Sequence, residues 1–313
     1  MSSVRHRTAT VDGHEIFYRE AGPADAPTIV LLHGFPTSSF MFRELIPLLA
    51  DRYHVIAPDH LGFGHSDAPL ATEFNYTFDV LAELTSRLLD QLGLDRYALY
   101  VQDYGAPLGW RLALQHPERI SALVTQNGNG YEDGFVEAFW TDVWAYGADP
   151  GPDTEPAARV ALSHDAIRWQ YVHGVPDPSL VSPDTWEHDF ALVSRPGNDE
   201  IQLALFRDYR NNRPLYPLLH EYLRTSGVPV LAVWGRNDEI FAPAGARAFA
   251  RDAKDAEVHL IDGGHFLLES HLHVVAGYVR GFLGRVLGQP ESRPQDVLRE
   301  TPSTVQNQLL PPV

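Results

Sequence analysis

Apolar residues gather in short, nearly unbroken runs at residues 28–32, 53–57, 97–101, 120–124, 228–234 and 256–261. Runs of that length without polar alternation predict strands buried on both faces, as in a parallel sheet between helical layers. Helix-like spacing fills residues 40–49, 78–92, 108–116 and 243–253, between the runs. Ahead of them, residues 8–18 read as two strands about an Asp12-Gly13 turn. The pattern predicts an α/β fold whose central sheet is mostly parallel and flanked by helices.

The alternation stops between residues 131 and 226, a stretch with four of the six tryptophans and no buried-strand run. It reads as a helical lid inserted between two strands of one sheet. The expected organisation is a core of residues 1–130 and 227–288, a lid (cap) of residues 131–226, and a loosely held tail of residues 289–313, rich in Pro, Gln and Ser.

Parallel sheets present their working groups just past the C-terminal ends of strands. Past residues 97–101 comes Gln102-Asp103-Tyr104-Gly105 and then a helical stretch. Strand, tight turn and helix with a reactive residue at the apex is the layout of a nucleophile elbow, with Gly105 allowing helix and strand to approach. The same position also suits an ordinary helix N-cap, which Asp favours. Past residues 228–234 comes Asp238, and past residues 256–261 comes Gly264-His265-Phe266. A lone loop Asp or His means little, but nucleophile, acid and His in that order, each past a strand of one sheet, is the triad order of α/β hydrolases. His33-Gly34-Phe35-Pro36 follows residues 28–32. Gly34 lets the Phe35 N–H turn inward, so that Phe35 and Tyr104 amides form a two-donor oxyanion hole. His33 itself reads as a packed loop histidine.

Taken together, His33-Gly34-Phe35-Pro36, Gln102-Asp103-Tyr104-Gly105, Asp238 and Gly264-His265 resemble the aspartate-nucleophile branch of the α/β-hydrolase superfamily, which includes epoxide hydrolases and haloalkane dehalogenases. The likeness runs over residues 8–287, and departs from the Gly-x-nucleophile-x-Gly pattern at Val101. It implies attack of Asp103 on an sp³ carbon, then hydrolysis of the resulting ester by water that His265, oriented by Asp238, deprotonates. A carboxylate is ionised at neutral pH without a base, which suits it to that attack.

The branch divides on how the leaving group is stabilised. The dehalogenases usually place a Trp after the nucleophile and an Asn or second Trp elsewhere; this chain has Tyr104 and Phe35 there. The Arg that fluoroacetate dehalogenases carry after the nucleophile is also missing. Epoxide hydrolases use two lid tyrosines, because a neutral phenol can bond to and protonate an opening epoxide oxygen. Tyr209, in Tyr209-Arg210-Asn211, resembles the second of these, and Tyr146 stands where the first is expected, with Tyr171 its rival. The expectation is therefore an epoxide hydrolase, with a dehalogenase on the same triad as the alternative. A non-catalytic ligand-binding protein of the same fold is the alternative from another class, and the complete acid–base set argues against it. Trp140, Trp144 and Trp169 read first as the lid's own core; with Tyr171 and Phe266 they are the candidates for lining an apolar substrate pocket.

Composition narrows the rest. There are no cysteines and one lysine, Lys254, which excludes disulfides and thiol chemistry and leaves lysine chemistry little room. The formal net charge of −17 at pH 7 repels nucleic acid and anionic membranes. Residues 1–18 hold no apolar leader and no run reaches membrane-spanning length, so the expectation is a cytoplasmic protein. Its expected partner is a small apolar epoxide, and a homodimer is compatible with this reading. No metal or organic cofactor is called for: His271-Leu272-His273 lacks further ligands, and Gly62-Phe63-Gly64 lacks the Lys of a phosphate loop. Glu132 and Asp133, past residues 120–124, are rival candidates for the triad acid, with Asp238 in the better context.

Overall fold

The computed structural model describes residues 3–288 of the chain, so the tail expected at 289–313 lies outside the described residues. Eight strands form one sheet: β1 (Arg5–Val11), β2 (His14–Ala21), β3 (Thr28–Leu32), β4 (His54–Pro58), β5 (Tyr97–Gln102), β6 (Ile120–Gln126), β7 (Val230–Gly235) and β8 (Glu257–Ile261), in the order β1-β2-β4-β3-β5-β6-β7-β8. The hairpin β1–β2 and the β2–β4 pair are antiparallel, and every pairing from β4 through β8 is parallel. Strands β4, β5 and β7 are buried along their whole length, which is why their sequences do not alternate, whereas β1 and β8 are edges with exposed or half-buried residues. Asp12 and Gly13 both adopt positive φ in the hairpin turn.

Helices α1 (Leu45–Leu49), α2 (Phe78–Gln91), α3 (Gly105–Gln115) and, past the lid, α9 (Tyr216–Ser226), α10 (Pro243–Asp252), α11 (Leu267–Ser270) and α12 (Leu272–Val286) belong to the core. Between them come α4 (Glu137–Ala148), α5 (Glu155–Val160), α6 (His164–Val172), α7 (Pro183–Val193) and α8 (Asn198–Asp208). The structure moves one boundary. Helix α9, placed by sequence within a lid of residues 131–226, packs instead on α3 and α10. Leu219 meets Gly130 past β6, and Arg224 pairs with Asp252 on α10 at 2.5 Å. The absence of a buried-strand run marks an insertion, but cannot separate a lid helix from a layer helix. The helices α4 to α8 and the turn Tyr209–Leu215 form a layer that meets the loops past β3, β5, β7 and β8, with Phe206 on Phe35, Tyr209 on Tyr104, Trp140 on Phe241 and His173 against Gly264.

Candidate active site

Asp103 occupies the bend between β5 and α3 at φ +48°, a left-handed conformation that costs a non-glycine residue energy. Glycines make the bend possible. A Cβ on Gly105 would stand 2.0 Å from the Leu32 carbonyl oxygen, and one on Gly34 would stand 2.3 Å from Cβ of Asp103. The strain turns the Asp103 carboxyl toward the loop past β3, where Oδ1 accepts the Phe35 N–H at 2.7 Å.

His265, past β8, lies across from it. Its Nε2 is 3.8 Å from Asp103 Oδ2, and its Nδ1 is 2.9 Å from Asp238 Oδ2. Asp238 accepts the Ile240 and Phe241 N–H groups on Oδ1 at 2.8 and 3.2 Å, and the Asn127 amide on Oδ2 at 2.6 Å. With four donors around it, the acid is fixed and favours the Nδ1–H tautomer of His265, which leaves the lone pair of Nε2 on the side of Asp103. The Gln102 amide nitrogen meets that Nε2 at 2.8 Å.

Burial pushes the Asp103 carboxyl up to about 6, against the lowering effect of His265 and of the Phe35 and Tyr104 N–H groups. Burial is the largest single influence on His265 and lowers it, but the charge and hydrogen bond of Asp238 together with the charge of Asp103 outweigh it, and the net shift is upward. The arrangement can therefore deliver a desolvated carboxylate to an electrophile and then take a proton from water beside it.

Three of the lid candidates, and Phe266 from the core, meet this centre. The Tyr209 ring lies 5.7 Å from that of Tyr104 and 4.4 Å from that of Trp140, wholly buried, and its hydroxyl has no hydrogen-bond partner. Trp140 packs on Phe241 at 5.3 Å, but its indole N–H is bound to the Ile240 carbonyl at 2.9 Å. Trp144 packs on Trp140 and Tyr209 at 4.9 and 6.0 Å. Phe266 stands edge-on to His265 at 5.1 Å.

Three do not reach the site as expected. Tyr146 is two residues from Trp144 on α4, about 200° round the helix, and so sits on the opposite face from the site. Its phenol lies among Glu155, Glu200, Arg159 and Arg207, with burial and the two glutamates raising it. Trp169 stacks on His173 at 4.5 Å and lines a separate lid cavity of about 240 Å³ with Phe139 and Val143. Tyr171 stacks on Phe266 at 4.0 Å, but its hydroxyl donates to the buried Asp189 and is not free.

Of the rival acids, Glu132 is paired with Arg213 and Asp133 with Arg251, both at the surface. His33 is buried, stacked on His60 at 4.0 Å, and accepts the His60 N–H on Nε2. No group of three or more potential metal ligands occurs among the described residues, and none of their helices is long and apolar enough to cross a membrane.

Sequence reasoning missed Asn127, Gln102 and the apolar wall of Phe206 and Phe241. Phe206 meets Phe35 at 5.3 Å, and Phe241 meets His265 at 6.0 Å. Asn127 carried one usable signal: it follows β6 directly and takes φ +49°, a conformation Asn tolerates.

Residues 27–272 match the family described as alpha/beta hydrolase fold. The chain is 46% identical over 281 residues to a protein of Saccharomyces cerevisiae described as an uncharacterized hydrolase, YNR064C, covering 87% of this chain and 94% of that one. It is 42% identical over 220 residues to haloalkane dehalogenase 2 of Mycobacterium tuberculosis, covering 69% and 73% of the two chains. The epoxide hydrolase CorEH shares the fold with a TM-score of 0.73 at 21% identity, covering 91% of this chain and 100% of that one. The chain belongs to the α/β-hydrolase family, in its aspartate-nucleophile branch, and is a hydrolase related to the haloalkane dehalogenases.

Proposed function

We propose that this hydrolase opens small, neutral, lipophilic epoxides to vicinal diols. One observation carries the choice of leaving group. The Tyr209 phenol is buried beside Asp103 with no partner, while the residues dehalogenases use for halide offer no side-chain N–H here: Phe35 has none, Tyr104 is a phenol, and the Trp140 N–H is already bound to Ile240. A buried hydroxyl without a partner costs about 1–3 kcal/mol, and an epoxide oxygen would supply what it lacks.

In this reading Oδ2 of Asp103 attacks a ring carbon and the C–O bond breaks. Its electron pair goes to the oxygen, which takes a proton from Tyr209. His265 then removes a proton from water, and the hydroxide attacks the ester carbon. The charge that develops on Oδ1 is held by the Phe35 and Tyr104 N–H groups. Collapse returns the Asp103 carboxylate and releases the diol, and the proton on His265 returns through solvent to the tyrosinate. The walls of Phe35, Trp140, Phe206 and Phe241 favour an uncharged substrate.

A parallel screen of neutral epoxides and haloalkanes, with diol and halide both measured, tests this. Diol from epoxides is expected, with turnover lost in Asp103→Asn and an Asp103 ester trapped by intact mass in His265→Gln. Halide without diol would replace the reading with dehalogenation, which the 42% identical haloalkane dehalogenase 2 favours. A wild-type protein that puts no solvent oxygen-18 into Asp103 with any substrate would point to a ligand-binding protein instead.

A further inference from the structure

The epoxide reading leaves one donor unassigned, since Tyr146 is buried on the face of α4 turned away from the site and the Tyr171 hydroxyl is held by Asp189. The unpartnered buried phenols among the described residues are Tyr53, Tyr97, Tyr104, Tyr209 and Tyr222. Tyr53 precedes β4 and Tyr97 begins β5, both at the N-terminal ends of strands, and Tyr222 is on α9. Only Tyr104 and Tyr209 border the elbow, with ring centroids 5.7 Å apart.

We infer that the Tyr104 side chain, and not only its amide, is a catalytic donor: with Tyr209 it forms a two-phenol clamp on the epoxide oxygen. This rests on the epoxide reading. Besides Tyr209, the aromatic neighbours of the Tyr104 ring are Phe35, Phe63 and Phe78, at 6.0, 6.4 and 5.0 Å between centroids, and its hydroxyl has no hydrogen-bond partner. Tyr209 is walled by Phe78, Phe135 and Trp140 in the same way. Two adjoining phenylalanines would pack these walls without leaving two hydroxyls unbonded, so stability alone does not explain the hydroxyls.

An epoxide oxygen has two lone pairs and can accept from both phenols while the ring opens. As the carbon–oxygen bond breaks, one phenol gives its proton to the oxygen. The other keeps its proton and bonds to the new hydroxyl or to the tyrosinate, so one proton moves and charge balances. Burial raises both phenols, with the Asp103 charge adding to the rise, so they remain neutral donors wherever Asp103 is ionised.

The test uses the full chain in the His265→Gln background, where the ester accumulates, with styrene oxide and two aliphatic epoxides as probes. The rate of ester formation on Asp103 is read by intact mass after rapid mixing. Tyr104→Phe and Tyr209→Phe should each slow it by about 100-fold, and the double variant by more than either. Each keeps the ring, so a purely packing role predicts no change in rate, and the melting temperature should hold or rise. An undiminished ester rate in Tyr104→Phe, with Tyr209→Phe slowed, overturns the clamp and leaves the epoxide reading standing. No ester in His265→Gln with any probe overturns both.

Discussion

At the scale of single residues, the groups that make Asp103 reactive also make it costly. Its carboxyl has an ordinary value of 3.8 and is pushed up to about 6, chiefly by burial. A folded-state value above the unfolded one means that the native state binds the proton more tightly. The penalty is absent below about pH 4 and grows as pH rises through about 6. A shift of about two units corresponds to about 3 kcal/mol at pH 7. Asp103→Asn keeps a carbonyl oxygen for the Phe35 N–H and removes the buried charge. It should therefore melt several degrees higher than the wild type at pH 7.5, with the gap shrinking toward pH 4. Calorimetry at the two pH values checks this, and equal gaps at both would show that the gain is not electrostatic. The same shift has a kinetic face. Under the proposed function ring opening needs the ionised form, and His265 lowers Asp103, so in His265→Gln the acid limb of ester formation should move to higher pH. The placing of Asp103, Asp238 and His265 together could be anticipated from sequence because each lies in the turn or loop just past the C-terminal end of a strand of one sheet. The contacts of Asn127 and Gln102 could not be: an amide at or just past a strand end reads alike wherever it occurs until its partner, Asp238 for the one and His265 for the other, is brought to it from 111 and 163 residues away.

At the scale of elements, the turn Tyr209–Leu215 decides whether Tyr209 meets the elbow. It is tied to the core on both sides. Asp208 Oδ2 accepts the Phe78 N–H at 2.8 Å, at the start of α2, and Asn212 Oδ1 accepts from Arg111 Nη1 at 2.7 Å, on α3. Both Asn212 and Arg111 are buried, so the bond is charge-assisted and poorly screened. Asn212→Leu should cost about 1–3 kcal/mol and slow ring opening, because Tyr209 loses one of its two anchors. Asn212→Asp, which keeps an acceptor for Arg111, should stay close to wild type in both. A fall in melting temperature with no change in ester formation would mean that the Asp208 tie alone sets the phenol. The strands and most core helices could be read from sequence because burial on both faces writes a continuous apolar run. The break in strand alternation marked the helices inserted between β6 and β7 but could not orient them. Tyr146 and Trp144 are two residues apart on α4, and only packing against α5 and α8 decides which of them faces inward.

Over the whole molecule, a formal charge of −17 surrounds a site walled by Phe35, Trp140, Phe206 and Phe241. The surface potential acts on a charged substrate before any wall does, and it leaves a neutral one alone. Between about 10 mM and 300 mM salt the screening length falls from about 30 Å to under 10 Å, so most of that long-range repulsion is removed. The second-order rate constant, kcat/KM, for a carboxylated epoxide should therefore rise several-fold across this range, while that for an uncharged epoxide of similar size should stay within about twofold. Measuring both substrates in the same salt series separates the field from any effect of salt on the lid, since a lid effect would move the two together. A carboxylated substrate whose rate falls with salt would require a cationic approach to the site that overrides the net charge. Two arginines near the lid offer no such approach: Arg159 is engaged with Glu155, Asp199 and Glu200, and Arg213 with Glu132, so these two charges are already answered by carboxylates.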